Sequence, residues 1–122
     1  MPTQQTLNRF VARVVEGAHA EAIEEFYHPD ASMQENFKAP RVGRDALAAR
    51  ERQILSRALS VRTQCVAPLF VAGDYVVIRW IFEFQWKNGT SSRMEELAYQ
   101  RWQGEQVKEE TFFYDPAQTV AK

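Results

Sequence analysis

A single cysteine, Cys65, occurs in the 122 residues, which excludes an intramolecular disulfide and any zinc site built on paired thiolates. A solitary cysteine of this kind reads as a small buried apolar residue. Histidine is nearly as scarce. His19 and His28 share no helical face and carry no metal-ligand spacing, so neither a metal nor a cofactor is expected. Charge of one sign is not in excess: 15 Lys and Arg against 16 Asp and Glu leave a net charge of −1, without the global field that draws in nucleic acid or an anionic membrane. No apolar run approaches the roughly 20 residues of a membrane span. The opening "MPTQQTLNRF" has neither the basic nor the apolar region of a signal peptide, so a cytoplasmic location is the expectation. Glycine and proline number five each and fall singly, at turns rather than in linkers. With no repeats or low-complexity stretches, residues 1–122 read as one domain, long enough to bury a single core.

What is present divides into a helical third and a strand-rich remainder. Leu7, Phe10, Val11, Val14 and Val15 recur at helical spacing, with Thr3 or Thr6 to cap the start and Gly17 to end the helix. A shorter helix, "HAEAIEEFY", follows with Ala22, Ile23 and Phe26 inward, and Pro29 is expected to stop it. After a strand, "GRDALAARERQILSRAL" predicts a long helix with Leu47, Glu51, Ile54, Leu55 and Ala58 on one side. Beyond Ser60 the period changes to that of strands. "VRTQCVAPLFVA", "YVVIRWIFEFQWK", "TSSRMEELAYQRW" and "VKEETFFYD" are separated by "GD", "NG" and "QGEQ", a meander of four long antiparallel strands. Helices ahead of a strongly twisted sheet give an α+β domain, and a curved sheet wrapped over helices leaves a cone with room for a pocket.

Strand alternation then selects residues. In "SMQENF", Met33, Glu35 and Phe37 share one face and Ser32, Gln34 and Asn36 the other. The polar face suits solvent, which places a carboxylate, Glu35, between two apolar residues on the buried side. On the second long strand Val76, Ile78, Trp80, Phe82, Phe84 and Trp86 form the core face. If Met94 and Ala98 face the same interior, so do Glu96 and Gln100, and the last strand contributes Glu110, Phe112 and Tyr114. The expected pocket is therefore Glu35, Glu96, Glu110 and Tyr114, set among Met33, Phe37, Trp80, Phe82 and Phe112. A carboxyl walled by aromatics is harder to ionise and moves toward the range useful for proton transfer. Glu35 and Tyr114 are the expected chemical pair, as acid or base and as hydrogen-bond donor. The structural alternative is that Glu35 pairs with Arg41 or Arg44 and only fixes the loop. For His28 a turn position bonded to backbone is favoured, and His19 reads as solvent-exposed. Ser32, Ser91, Ser92 and Cys65 have no evident base partner, so no nucleophile system is expected.

The stretches "FYHPDASM", "GRDAL", "GDYVVIRWIFEF", "RMEELAYQRW" and "FFYDP", in that order, resemble the SnoaL-like branch of the NTF2-like superfamily over nearly the whole chain. The resemblance implies a cone-like fold, three N-terminal helices packed on a curved, largely antiparallel sheet with an internal pocket. Members include polyketide cyclases, ketosteroid isomerases and proteins that only bind or dimerise. Alignment with ketosteroid isomerases puts Glu35 at their catalytic base. It puts Phe10 and Ala98 where they need a tyrosine and a protonated aspartic acid, and neither side chain can donate a hydrogen bond. A steroid isomerase is thereby disfavoured, since one such donor is worth about 3 kcal/mol. The resemblance implies a cofactor-independent isomerase, cyclase or lyase acting on a small apolar oxygenated ligand. A non-catalytic binding or dimerisation module, or an interaction subunit working through its sheet, is the alternative. A homodimer is expected through the outer sheet face, where Arg79, Ile81, Glu83, Arg93, Glu95, Leu97, Tyr99 and Arg101 mix charge with apolar bulk.

Overall fold

A computed structural model describes all residues, Met1–Lys122. Its elements are α1 (Gln4–Val15), α2 (His19–Phe26), β1 (Tyr27–Glu35), β2 (Arg41–Val42), α3 (Arg44–Ser56), β3 (Ala58–Ala72), β4 (Tyr75–Trp86), β5 (Ser91–Gln103) and β6 (Gln106–Phe113), closed by a 3-10 turn at Pro116–Thr119. The Thr3 hydroxyl caps α1 by accepting from the Thr6 amide at 3.1 Å. Leu7, Phe10 and Val14 of α1 are buried, whereas Val15, expected on the same stripe, has turned outward. Val15 lies about 100° round the helix from Val14, at the outer edge of the buried stripe.

The six strands form one sheet in the order β2-β1-β6-β5-β4-β3, antiparallel except where β1 lies parallel to β6. Strands β3 to β6 are the expected meander. The parallel docking of β1 could not be read from alternation, because it joins strands more than seventy residues apart in the chain. It matters for function, because it brings Met33 beside Glu110 and Glu35 beside Phe112.

Two helix boundaries differ from expectation. Helix α2 ends at Phe26, not at Pro29, and β1 has already begun at Tyr27. Pro29 lies where the β1–β6 register slips between Tyr27 and Ser32, a place that asks no ladder hydrogen bond of it. Helix α3 ends at Ser56, so Ala58 starts β3 opposite Trp86.

The helices cover the concave face of the sheet. Leu7, Phe10, Ile23, Phe26 and Leu47 pack there on Ile78, Trp80, Ala98, Trp102 and Val107. On the convex face Arg79 pairs with Glu95 and Arg101 with Glu109, while Leu97 and Tyr99 remain exposed. Ile81, expected with them, is buried. The C-terminal segment borders the first half of β5: Ser91 and Lys122 exchange backbone hydrogen bonds at 2.8 Å, and Gln118 caps the Glu95 amide at 2.8 Å. No helix is long and apolar enough to cross a membrane.

Candidate functional site

The helices do not fill the concave face, and a cavity of about 430 Å³ remains between them and the sheet. Strand β4 supplies its longest wall. Trp80, Phe82, Phe84 and Trp86 all lie on the inner face, with Trp80 stacked on Phe82 at 5.9 Å and Phe84 on Trp86 at 4.7 Å. Phe10 and Val14 of α1 and Leu47 and Ile54 of α3 close the opposite side.

Of the expected residues, Met33, Glu35, Trp80, Phe82, Glu96, Glu110, Phe112 and Tyr114 line this cavity. Phe37 does not. Strand β1 stops at Glu35, Asn36 takes a left-handed φ of 50°, and the Lys38 amide closes a turn on the Glu35 carbonyl at 3.0 Å. The turn breaks the alternation that put Phe37 beside Met33. Phe37 is 92% exposed and touches only the edge of Phe113, at 6.2 Å. Register fixes the other two carboxyls: Glu96 pairs with Trp80, and Glu110 with Gln100. The one irregularity between β5 and β6 falls below Glu109, at Lys108. It leaves Glu110 and Phe112 facing inward and also turns Val107 inward, which strict alternation from Glu110 would have sent out.

The carboxyls occupy different surroundings. Glu35 lies 3.7 Å from the Arg41 guanidinium and 3.9 Å from that of Arg50, with its side chain 26% exposed. Arg44 turns instead to Asp45, at 3.4 Å. Glu110 is 2% exposed and fully hydrogen-bonded. The Tyr27 hydroxyl donates to Oε1, Gln100 donates to Oε2 at 2.6 Å, and the Trp102 indole in turn donates to Gln100 at 2.9 Å. Burial raises Glu110 to about 7, against the lowering effect of its two donors. The same burial, with the Glu110 charge, lifts the Tyr27 phenol well above its ordinary range.

Glu96 has neither a hydrogen bond nor an ion pair from its side chain. Burial, and then the negative charges of Glu110, Glu51 and Glu35, push it up to about 8. Both causes favour its neutral, protonated form, and the residue lines the cavity together with the aromatic wall of β4. Tyr114 is raised by burial and by the Glu35 and Glu96 carboxylates, with Arg50 and Arg41 opposing.

Several contributors to the site, including Tyr27, Arg50, Glu51 and His19, were not among the expected residues. Tyr27 ends the segment read as helix, and Arg50 and Glu51 lie on α3. His19, expected in solvent, is 7% exposed, with Nε2 2.8 Å from the Thr63 hydroxyl and Nδ1 3.4 Å from Glu51. The signal for Glu51 was available. It stands on an apolar helical stripe one turn after Leu47, the same anomaly that singled out Glu35. His28 Nδ1 accepts from the Asp30 amide at 3.0 Å, a backbone-bonded histidine. Phe10 packs edge-on to Trp102 and Phe26, and Ala98 is buried, so neither position supplies a donor. No three His, Cys, Asp or Glu side chains are grouped so as to hold a metal ion.

The SnoaL-like domain profile matches residues 7–110 of the chain. No curated protein matches it. Among solved structures, a proposed SnoaL-like polyketide cyclase from Mesorhizobium loti is 21% identical, with 93% of this chain and 100% of that one covered and a TM-score of 0.76. A hypothetical protein with a ketosteroid isomerase-like fold from Catenulispora acidiphila, in complex with trimethylamine, is 17% identical, with 97% and 91% covered and a TM-score of 0.78. TerC co-crystallised with polyporic acid is 13% identical, with 93% and 91% covered and a TM-score of 0.74. At these identities the likeness is one of fold.

Proposed function

The chain belongs to the SnoaL-like domain family, and on that premise we propose that its cavity takes a small apolar, oxygenated molecule and moves protons on it by carboxyl acid–base chemistry. The reaction class is isomerisation, cyclisation or elimination next to a carbonyl. The observation that carries this reading is Glu96, a carboxyl with no partner in the protein, opposite Trp80 on the wall of an aromatic chamber. A carboxyl kept neutral at pH 7 can donate to a carbonyl oxygen as negative charge develops there. It supplies the donor that Phe10 and Ala98 cannot. Glu35, the residue expected to act, is held near two arginines at the exposed side of the cavity, which suits it to orient a ligand rather than to exchange protons. The complexes of two structural neighbours with small organic molecules, trimethylamine and polyporic acid, are in keeping with a small-molecule cavity here.

The test is incorporation of solvent deuterium into 1-tetralone, an apolar bicyclic ketone with enolisable hydrogens, followed by mass spectrometry. The wild type should exceed the buffer rate, and Glu96→Gln should remove about 100-fold or more of that gain. Binding without exchange in the wild type overturns catalysis in favour of a ligand-binding module.

A homodimer through the convex face belongs to the same reading. Arg79 pairs with Glu95 and Arg101 with Glu109 within the chain, and Arg93 and Glu83 balance in sign, so a second copy meets a nearly neutral surface carrying Tyr75, Leu97 and Tyr99. Light scattering on Leu97→Glu beside the wild type tests it. The mass should fall from two copies to one, and a wild-type monomer overturns it.

A further inference from the structure

Thr63, His19 and Glu51 form a line of contacts that runs from the sheet into the cavity, and the acid role of Glu96 leaves it unused. The three residues belong to β3, α2 and α3, and the packing of α2 on α3 brings them together. Thr63 Oγ1 is 2.8 Å from His19 Nε2, and His19 Nδ1 is 3.4 Å from Glu51 Oε1. Thr63 and His19 are both buried, and the imidazole edge is fixed against Phe82 at 5.3 Å between centroids. Thr63 lies behind the cavity wall, while His19 and Glu51 line the cavity itself.

The chemistry of the three groups favours one proton arrangement. A neutral imidazole has one N–H and one lone pair, and a carboxylate can only accept. An N–H on Nδ1 faces the Glu51 carboxylate across 3.4 Å, and in that tautomer the Nε2 lone pair accepts the Thr63 hydroxyl proton. In that arrangement both ring nitrogens of His19 are directed at protein groups. Its effect is to orient Glu51 through Oε1, which leaves Oε2 for a molecule in the cavity.

We propose that Glu51 is the catalytic base of the site, paired with Glu96 as acid, and that His19 and Thr63 are positioning residues that aim it. This rests on the proton-transfer reading above and names its missing half. Glu51 Oε2 takes a proton from the carbon next to the carbonyl. The C–H electron pair becomes the enol double bond, the carbonyl π pair moves to oxygen, and that oxygen takes the Glu96 proton. In the return step Glu96 recovers its proton from the enol hydroxyl while Glu51 gives a proton back to carbon. A deuteron enters if Glu51 has exchanged with solvent in between. No oxidant or reductant is required.

The experiment is the 1-tetralone exchange assay on the wild type, Glu51→Gln, Glu51→Asp, Thr63→Val and Thr63→Ser, with ¹⁵N spectra of the His19 ring. Glu51→Gln should lower kcat about 100-fold or more with KM nearly constant. Glu51→Asp keeps the charge but retracts the carboxylate by one methylene, so it should fall between Gln and wild type. Thr63→Val should lower kcat about tenfold, and Thr63→Ser, which restores the hydroxyl, should recover it. In the wild type the ¹⁵N pattern should show the proton on Nδ1. Exchange by Glu51→Gln at the wild-type rate, while Glu96→Gln is impaired, overturns this assignment and leaves the acid reading standing. A His19 proton on Nε2 overturns the positioning chain. A wild type that exchanges no faster than buffer overturns the proton-transfer reading itself and, with it, the role of Glu51.

Discussion

Trp80 and Glu96 stand directly opposite each other on β4 and β5, so that an aromatic wall and an unpartnered carboxyl share one patch of the cavity. The indole offers no hydrogen bond toward the carboxyl, and Glu110, Glu51 and Glu35 add negative charge from other sides. Desolvation and like charge therefore act in the same direction, and the neutral acid is the state this arrangement favours. The partner of Trp80 is thus the residue we propose as proton donor, although Glu35 is the carboxylate that alternation in "SMQENF" makes conspicuous.

One consequence concerns stability against pH. Glu96 at about 8 and Glu110 at about 7 both stand above the ordinary glutamate value of 4.5. Between pH 4.5 and 8 the folded chain therefore holds protons that the unfolded chain has lost, and stability must fall as pH rises through that window. Each such group contributes a slope on the order of 1 kcal/mol per pH unit. The shifts of Glu24, Glu95 and Glu105 run downward, so their contribution is gained below that window and does not mask the loss. Urea midpoints from pH 5 to 8 should decline, and Glu96→Gln should flatten the decline without lowering the midpoint at pH 5.

Tyr27→Phe isolates the buried network. The hydroxyl is one of two donors to Glu110, and both draw its titration down against burial. Loss of one donor should move the Glu110 midpoint above about 7, since burial then has less opposition. It should also cost roughly 1–3 kcal/mol, the range for leaving a buried acceptor short of a partner. Carbon-detected NMR titration of the carboxyl reads the first effect and urea unfolding the second. An unchanged midpoint would mean that the tyrosine contributes only packing.

Much of this was legible in the chain. The strand meander follows from alternation and from the "GD", "NG" and "QGEQ" turns, whereas alternation left the face of Glu96 and Glu110 conditional on that of Met94 and Ala98, which the strand register settles. What escaped has local and long-range causes. Alternation carries no information about where a strand stops, and Asn36 ends β1 one residue before Phe37. Nor could it join β1 to β6, so Tyr27 could not be placed beside Glu110. His19 is buried where α2 packs on α3 and its ring meets Thr63 of β3, contacts that no single sequence window contains.

Phe37 and Leu47 make a contrasting pair of substitutions. Phe37 is exposed, and its one aromatic contact is the edge of Phe113. Phe37→Ser should change stability by no more than about 0.5 kcal/mol, as for other surface positions, and should leave the deuterium exchange untouched. Leu47 is 3% exposed within the core and also lines the cavity. Leu47→Ala should cost about 2–5 kcal/mol through lost burial and an enlarged void. Thermal unfolding of the two variants beside the wild type separates them, and equal losses would place Phe37 on the inner face after all.

Glu35→Gln tests whether the carboxyl between the arginines acts directly or through its charge. The pairs at 3.7 and 3.9 Å are partly solvated, so their loss should cost no more than about 1 kcal/mol of stability. The effect on Glu96 should be the larger one. Glu35 is one of the negative charges holding Glu96 high. Neutralising it removes the smallest of the three carboxylate contributions, so the Glu96 midpoint should drop below about 8. The pH above which exchange of 1-tetralone fades should drop with it, while the maximal rate at lower pH stays within about tenfold of wild type. A proton carrier at position 35 predicts the opposite pattern, a rate lost at every pH with the Glu96 midpoint unmoved. A carboxyl titration of the variant, run beside its exchange profile, decides between them.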